Sequence, residues 1–517
     1  MSKAHSTDLF DLIKSLNPSE KGYIKKFALR SSSKRDLLYL SLFDAIDKQK
    51  AYNENAILKT LKHIKQLPEL KNYLYSALCN ALVSYHSESD VKLELLKMIG
   101  TIGILYNKGL DAQCWKLLDK AKEIARRNEL FSFLIEFSYW EKLLISNTRR
   151  DLRREKKSTK ILNEIQELLQ NLKTDNDHWE LKETIFNFYY RNKRITKDLE
   201  LEGLEKSINN SFIKTKSIPP TRQGKLYFYQ LNAFYYKIKG DLMKSYLYQK
   251  ECLLLFKNDP EKILQNSEPY LGTLNNYFNV LVLLKKYKEV EKCILLFRSI
   301  KNFNMKQIGV RNAVFMLYLA ELDFYLKKGE FEKGIKLSKE IEESLEKYYK
   351  TPPKEIEQVF YINSAIAYFI TCNFRDTLYY LNKIMAGYTL NIRNDIECFA
   401  RIINLITHFE IGNIDMLVYT VQSTYRFLYK RGEIYMYEIL LLNFIKRELP
   451  NISTNAELIR AFIKLKNELI EVVRDPVEQK ALESFDFISW LESKIENRSF
   501  GEILREKSRF SLEEEND

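Results

Sequence analysis

Apolar residues recur three and four positions apart through most of this chain, the spacing that builds one buried face on a helix. Valine is sparse, and no stretch keeps the strict alternation of a half-buried strand between glycine-rich turns. The pattern predicts helices throughout, and one stretch shows how they are joined. In "YLKKGEFEKGIKLSKEIE" (325–342) one periodic run ends at Tyr325, a Lys-Lys-Gly corner follows, and a second run starts at Phe331.

Gly329 serves as a ruler. Tyr325 lies four residues before it and Tyr318 eleven before; Phe331 lies two after and Gly334 five after. The same offsets from Gly240 give Tyr236, Tyr229, Leu242 and Ser245, with Ala233 seven before. From Cys372 they give Tyr368, Ala365, Tyr361, Phe374 and Thr377, and from Lys285 they give Leu281, Phe278, Leu274, Tyr287 and Val290. Gly412 and Gly109 fit more loosely. Weaker turns near Thr148 and Arg194 fill the long gap between 109 and 240. Self-similarity at about 40–47 residues is the mark of a stacked helical array. Positions −11, −7 and −4 share a face of the first helix. Small residues at −7 and +5 let paired helices cross closely, and glycine at the corner supplies a left-handed cap.

These residues resemble the tetratricopeptide repeat family, best in "NAFYYKIKGDLMKSYLYQKEC" (232–252). The repeat here is longer than the family's period of about 34, each helix gaining about a turn, and the resemblance covers roughly 92–431. It implies an all-α chain: an α-α superhelix, a tetratricopeptide-like solenoid, with helical N- and C-terminal caps. The whole chain also resembles uncharacterised bacterial proteins of this kind, a likeness that implies no activity. Eight helix pairs are expected at 92–128, 130–172, 176–215, 222–257, 268–301, 308–349, 355–387 and 393–431. The domains follow as a helical N-terminal subdomain (1–90), the array (91–431), capping helices (432–498, near 433–449, 455–473 and 477–496) and a disordered acidic tail (499–517). In "NPSEKGYIKKFA", Asn17, Pro18 and Glu20 read as a helix start.

Composition adds limits. Glycine is 15 of 517 residues and proline 10, so breakers are few. The six cysteines form no C-x-x-C pair, lie in apolar-periodic stretches and read as reduced, buried hydrophobes. The first residues lack the apolar core of a signal peptide, and no apolar run approaches the roughly 18 residues of a membrane span. A cytoplasmic protein is expected.

Candidate chemistry is thin. "GEFEKGIK" lacks the Lys-Ser/Thr ending of a phosphate loop, and none of the five histidines is paired at i, i+4. His408 stands at a −4 position and reads as core. No catalytic residue, metal ligand or cofactor is expected, and the chain is read as a non-enzyme. A net charge of +13 permits acidic partners. The corners carry Arg149, Arg150, Arg153 and Arg154, then Arg191, Lys193 and Arg194, then Lys237 and Lys239, Lys285 and Lys286, and Lys327 and Lys328. In a stacked array these corners form one basic edge. The bland alternative is that Lys and Arg simply favour helix C-termini. The family often binds extended peptides on its first helices, so Asn232, Asn275 and Asn279 are candidates to line a groove. The expected function is a non-catalytic scaffold for a protein or peptide, acidic in character. The alternative is a nucleic-acid-associated or transcriptional regulator using that edge or the N-terminal lysines and arginine Lys21, Lys25, Lys26, Lys34 and Arg35.

Overall fold

All six ruler positions turn left-handed. Gly109, Gly240, Gly329 and Gly412 have φ between 71° and 80°, and Lys285 and Cys372 have φ of 56° and 58°. Each corner closes with the same pair of backbone bonds. At Gly329 these are Glu330 N to Tyr325 O (2.9 Å) and Gly329 N to Leu326 O (3.2 Å); at Cys372 they are Asn373 N to Tyr368 O (2.9 Å) and Cys372 N to Phe369 O (3.0 Å). This is a Schellman cap, in which a left-handed residue lets the last carbonyls of a helix find donors. It explains the −4 offset, whose residue supplies the accepting carbonyl. Glu129 is left-handed too and closes with the same pair of bonds, and after the left-handed Asn497 the Arg498 N bonds to Ser493 O at 3.0 Å.

The computed structural model describes residues 7–28, 34–61, 66–87, 90–147, 152–191, 218–257, 263, 267–300, 303–349, 351–386, 394–430, 435–475, 478–479 and 485–513. Among them 86% are helical, in 23 α-helices packed largely in sequence-adjacent pairs, and none is in a strand. The chain divides into two compact units, Met1–Lys173 and Thr174–Asp517.

The first unit holds α1 (Asp8–Ser15), α2 (Pro18–Ala28), α3 (Lys34–Asp47), α4 (Glu54–Thr60), α5 (Leu67–His86), α6 (Val91–Asn107), α7 (Asp111–Arg127) and α8 (Phe131–Ser146). Asn17 and Glu20 start α2 by exchanging bonds, Glu20 N to Asn17 Oδ1 (2.8 Å) and Asn17 N to Glu20 Oε2 (2.7 Å). Two separate apolar clusters fill this unit, one from Leu9 to Ala81 and one from Leu95 to Leu168. Between α7, α8 and the helix that follows, Lys122 is buried with Nζ at 2.7 Å from Glu141 and 2.8 Å from Glu164.

That helix, α9 (Leu152–Arg191), corrects an expectation. A break was expected between 172 and 176, yet the helix runs through it and contains the boundary of the two units. "NLKTDNDHWE" offers no glycine or proline to stop it. The rest of the pair expected at 176–215 lies largely outside the described residues.

Five hairpins follow: α10 (Arg222–Ile238) with α11 (Leu242–Lys257), α12 (Ser267–Leu283) with α13 (Tyr287–Ser299), α14 (Ile308–Lys327) with α15 (Phe331–Tyr348), α16 (Lys354–Ile370) with α17 (Phe374–Ala386), and α18 (Asn394–Ile411) with α19 (Ile414–Lys430). First helices pack on one another in order, α12 on α14, α14 on α16 and α16 on α18. The +5 and −7 positions meet where the paired helices cross, with small residues on both sides at the 240 corner and on one side at 329, where Leu322 stands at −7. Ser245 Oγ donates to Ala233 O at 2.9 Å, and a Cβ on Gly334 would stand 3.5 Å from Leu322.

The chain ends with α20 (Met436–Asn443), α21 (Asn455–Val472), α22 (Phe487–Glu496) and α23 (Phe500–Glu513). The expected helix at 433–449 changes form: Phe444–Glu448 is a π-turn, with Leu449 N bonded to Phe444 O. Pro450 is the cause, because its ring crowds the carbonyl four residues earlier and it has no N–H to give. The disordered tail expected from 499 is also corrected. α23 is helical, Phe500 and Ile503 are buried, and Gly501 lies against Ile370 and Phe331. Another correction concerns Cys372, which is exposed at its corner rather than buried, while Cys79 is half-buried.

The corners give a test. Lys285 and Cys372 hold a conformation that costs an L-residue about 1–2 kcal/mol and glycine almost nothing. Lys285→Gly should therefore stabilise the second unit by about 1 kcal/mol in urea unfolding, while Gly240→Ala should destabilise it by a similar amount. No gain from Lys285→Gly would show that the corner is not under this strain.

Candidate functional site

The hairpins of the second unit are joined by rows of tyrosine and carboxylate. At the 240 corner, Tyr236 stacks on Tyr248 with ring centroids 5.7 Å apart, and Tyr229 lies 6.4 Å from Tyr248. The 372 corner repeats the trio: Tyr368 stacks on Tyr380 at 5.7 Å, and Tyr361 lies 6.0 Å from Tyr380. The members stand at −11, −4 and +8 in both. The +8 tyrosine was not picked out in the sequence, although the ruler contains it.

Carboxylates close three of the rows. Tyr277 and Tyr246 donate to Glu289 Oε2 at 2.8 and 3.0 Å, and Lys286 Nζ lies 3.5 Å from Glu289. Burial opposes charge on Glu289, but the two phenols and Lys286 outweigh it and hold its pKa below the usual value. In the next row Arg298 forks onto Glu321 (Nε 3.2 Å, Nη2 3.0 Å) and reaches Glu340 with Nη1 at 2.8 Å. The guanidinium lies over the Tyr318 ring, 5.1 Å from its centroid, and Tyr325 donates to Glu321 at 3.0 Å. Glu321 is 2% exposed, and burial pushes its carboxyl up despite Arg298. In the last row Tyr380 donates to Glu342 at 2.8 Å and Lys383 lies 3.4 Å from the same carboxylate.

These three carboxylate rows fasten the second helix of one hairpin to its neighbours, and each balances a carboxylate against a base. Burial, helped by Glu289, Glu321, Glu357 and Glu342 respectively, raises the phenol pKa of Tyr277, Tyr325, Tyr361 and Tyr380. They are hydrogen-bond donors at neutral pH, not phenolate nucleophiles. Burial also drives the Cys293 thiol to about 12, far from a thiolate. Among the described residues no three His, Cys, Asp or Glu side chains gather as metal ligands. A pocket of about 200 Å³ beside the π-turn is lined by Asn443, Arg447, Glu448 and Glu468 among others, with Glu448 tied to Lys464 at 2.8 Å. It presents no nucleophile beside a base.

The candidate basic edge is brought together only in part. Arg149, Arg150, Lys193 and Arg194 lie outside the described residues, as does the side chain of Arg191, which ends α9. Lys237 is half-buried near the 240 corner, and Lys239 is exposed there over the Tyr235 ring at 5.1 Å. Lys285 is exposed at its own corner, whereas Lys286 turns to Glu289. Lys327 pairs with Asp323 at 2.9 Å, and Lys328 pairs with Glu291 at 2.5 Å and Glu330 at 2.9 Å. That last corner is also covered. Arg505 Nε donates to Gly329 O at 3.3 Å, Ser508 Oγ donates to Lys327 O at 3.1 Å, and Arg505 pairs with Glu332. The edge predicted from spacing is thus compensated at 286, 327 and 328.

Arg153 and Arg154 are different. They open α9, where the helix dipole already places positive charge, so the usual preference of bases for helix C-termini does not account for them. Arg153, Lys156 and Lys160 are exposed, and Lys157 sits over Trp115 at 4.9 Å. Of the candidate groove residues, Asn232 is 2% exposed and donates to Phe228 O at 2.8 Å. Asn279 donates to Asn275 O at 2.8 Å, and Asn275 Oδ1 is buried without a partner among the described residues. Asn232 is therefore spent on its own helix rather than presented on a surface. His408 is buried, and burial lowers its pKa.

No protein-family model matches this chain, and no curated protein matches it. No described helix is long and apolar enough to cross a membrane.

Proposed function

We propose that the chain is a non-catalytic scaffold, a tetratricopeptide-like α-α superhelix that binds protein or peptide segments on its helix surfaces. The observation that carries this reading is the repeated corner: six left-handed positions with one spacing rule, each joining two helices of a hairpin. Chains built this way gain stability by stacking neighbours and leave long, regular surfaces for partners. The net charge of +13 favours acidic partners.

A second reading, a nucleic-acid-associated regulator, draws on the bases that open α9. The N-terminal lysines favour it less, since Lys21 pairs with Asp47 at 2.6 Å and Lys25 with Asp44 at 2.7 Å. Affinity capture of the tagged full chain from native cells, with and without nuclease, separates the two. The scaffold reading expects protein partners that survive nuclease. Retention on DNA or RNA at about 50 mM salt that falls steeply with added salt, and is lost in Arg153→Gln with Lys156→Gln, would replace it with the second.

A further inference from the structure

The first-unit helix α6 carries two glycines that behave differently. A Cβ on Gly103 would meet the Trp140 ring at 3.3 Å, so packing within the chain accounts for it. Gly100 has nothing within 4 Å of where its Cβ would stand. A glycine in the middle of a helix weakens that helix relative to alanine, and its use is close approach of another backbone. No backbone of this chain makes that approach among the described residues.

Gly100 does not stand alone. Leu96 and Ile104, one turn to either side on the same face, are 54% and 60% exposed. Lys92, Lys97 and Lys108 flank this strip, are exposed, and form no ion pair among the described residues. The one carboxylate within α6, Glu94, stands about 160° round the helix from Leu96. The face is an apolar strip, low at its centre, rimmed by three exposed lysines, with Asp90 and Asp111 beyond its two ends.

We infer that this face of α6 docks an acidic amphipathic helix of a partner protein. Apolar residues three, four and seven apart on that helix lie across Leu96, Gly100 and Ile104, and its flanking Asp and Glu meet the three lysines. A second copy of α6 in the same place would set lysine against lysine, which disfavours it. The inference rests on the scaffold reading and names one surface and one partner chemistry for it.

A displayed library of random 20-residue peptides, selected against the full chain, tests it. The expected winners carry an apolar i, i+3/i+4, i+7 face with acidic flanks. Their binding, measured by fluorescence anisotropy, should weaken tenfold or more in Ile104→Ser and in Leu96→Ser. It should be abolished in Gly100→Leu, whose melting temperature is unchanged or higher. Lys92→Gln with Lys97→Gln and Lys108→Gln should weaken it about fivefold and flatten its salt dependence. Winners without acidic enrichment, or insensitive to Ile104→Ser, overturn this surface while leaving the scaffold reading in place. A library that yields no binder counts against both. Self-association in sedimentation that disappears in Ile104→Ser overturns the choice of partner, because a second copy then occupies the face.

Discussion

Arg298→Ala should cost the second unit about 3 kcal/mol at pH 7, and clearly less near pH 4. Removing one partner of a buried pair costs about 3–5 kcal/mol because the other charge is left uncompensated. The low end applies because the Arg298 side chain is 34% exposed and water reaches it, whereas that of Glu321 is 3% exposed. The pH dependence follows from Glu321. Burial raises its folded pKa above the ordinary 4.5, so its favourable contribution is complete below that value and is lost as pH rises through the folded pKa. Without the guanidinium the folded pKa rises further, and the window of loss widens upward. The difference between variant and wild type must then grow between about pH 4 and pH 7. Urea unfolding at several pH values measures it. A deficit that stays constant across the range would mean that Arg298 acts through packing on Tyr318 rather than through Glu321. Replacing both partners by leucine should recover much of the loss.

Phe331→Ala should cost about 3–5 kcal/mol, the usual range for emptying a buried aromatic site. Phe331 is 1% exposed, covers the corner after Gly329 and lies beneath the Arg505 guanidinium at 5.2 Å. Gly501 of α23 also packs against it, with a Cβ there 3.5 Å from the ring. The same change should release α23. Hydrogen exchange ought to quicken across 500–513 more than across α18, which lies in the same apolar cluster. Wild-type protection of 500–513 in this variant would refute the idea that Phe331 is the anchor of the C-terminal helix.

Such anchoring was not legible in the sequence. "SLEEEND" reads as the end of a disordered acidic tail, yet the helix that runs into it is held by residues about 170–180 positions away, such as Gly329 and Lys327. The carboxylates were equally mute. Glu321 and Glu342 sit among many glutamates, and only their surroundings make one of them a buried partner of arginine and the other an acceptor for tyrosine. The basic edge shows the converse. Lys239 and Lys328 each stand one residue before a corner glycine, yet one is exposed over the Tyr235 ring and the other is held between Glu291 and Glu330.

The corners, by contrast, were readable, because a Schellman cap is built within six consecutive residues and leaves its requirement for a left-handed residue in the local pattern. The sequence by itself determined that the chain is helical and where most of its hairpins turn. Local bonds and the 3.6-residue period decide both. Which lysines are drawn into ion pairs, which glutamates are buried, and where α23 comes to rest were decided only by the tertiary structure. Those outcomes depend on contacts between distant segments whose Lys, Arg and Glu residues are interchangeable as letters and differ only once packing sets their neighbours.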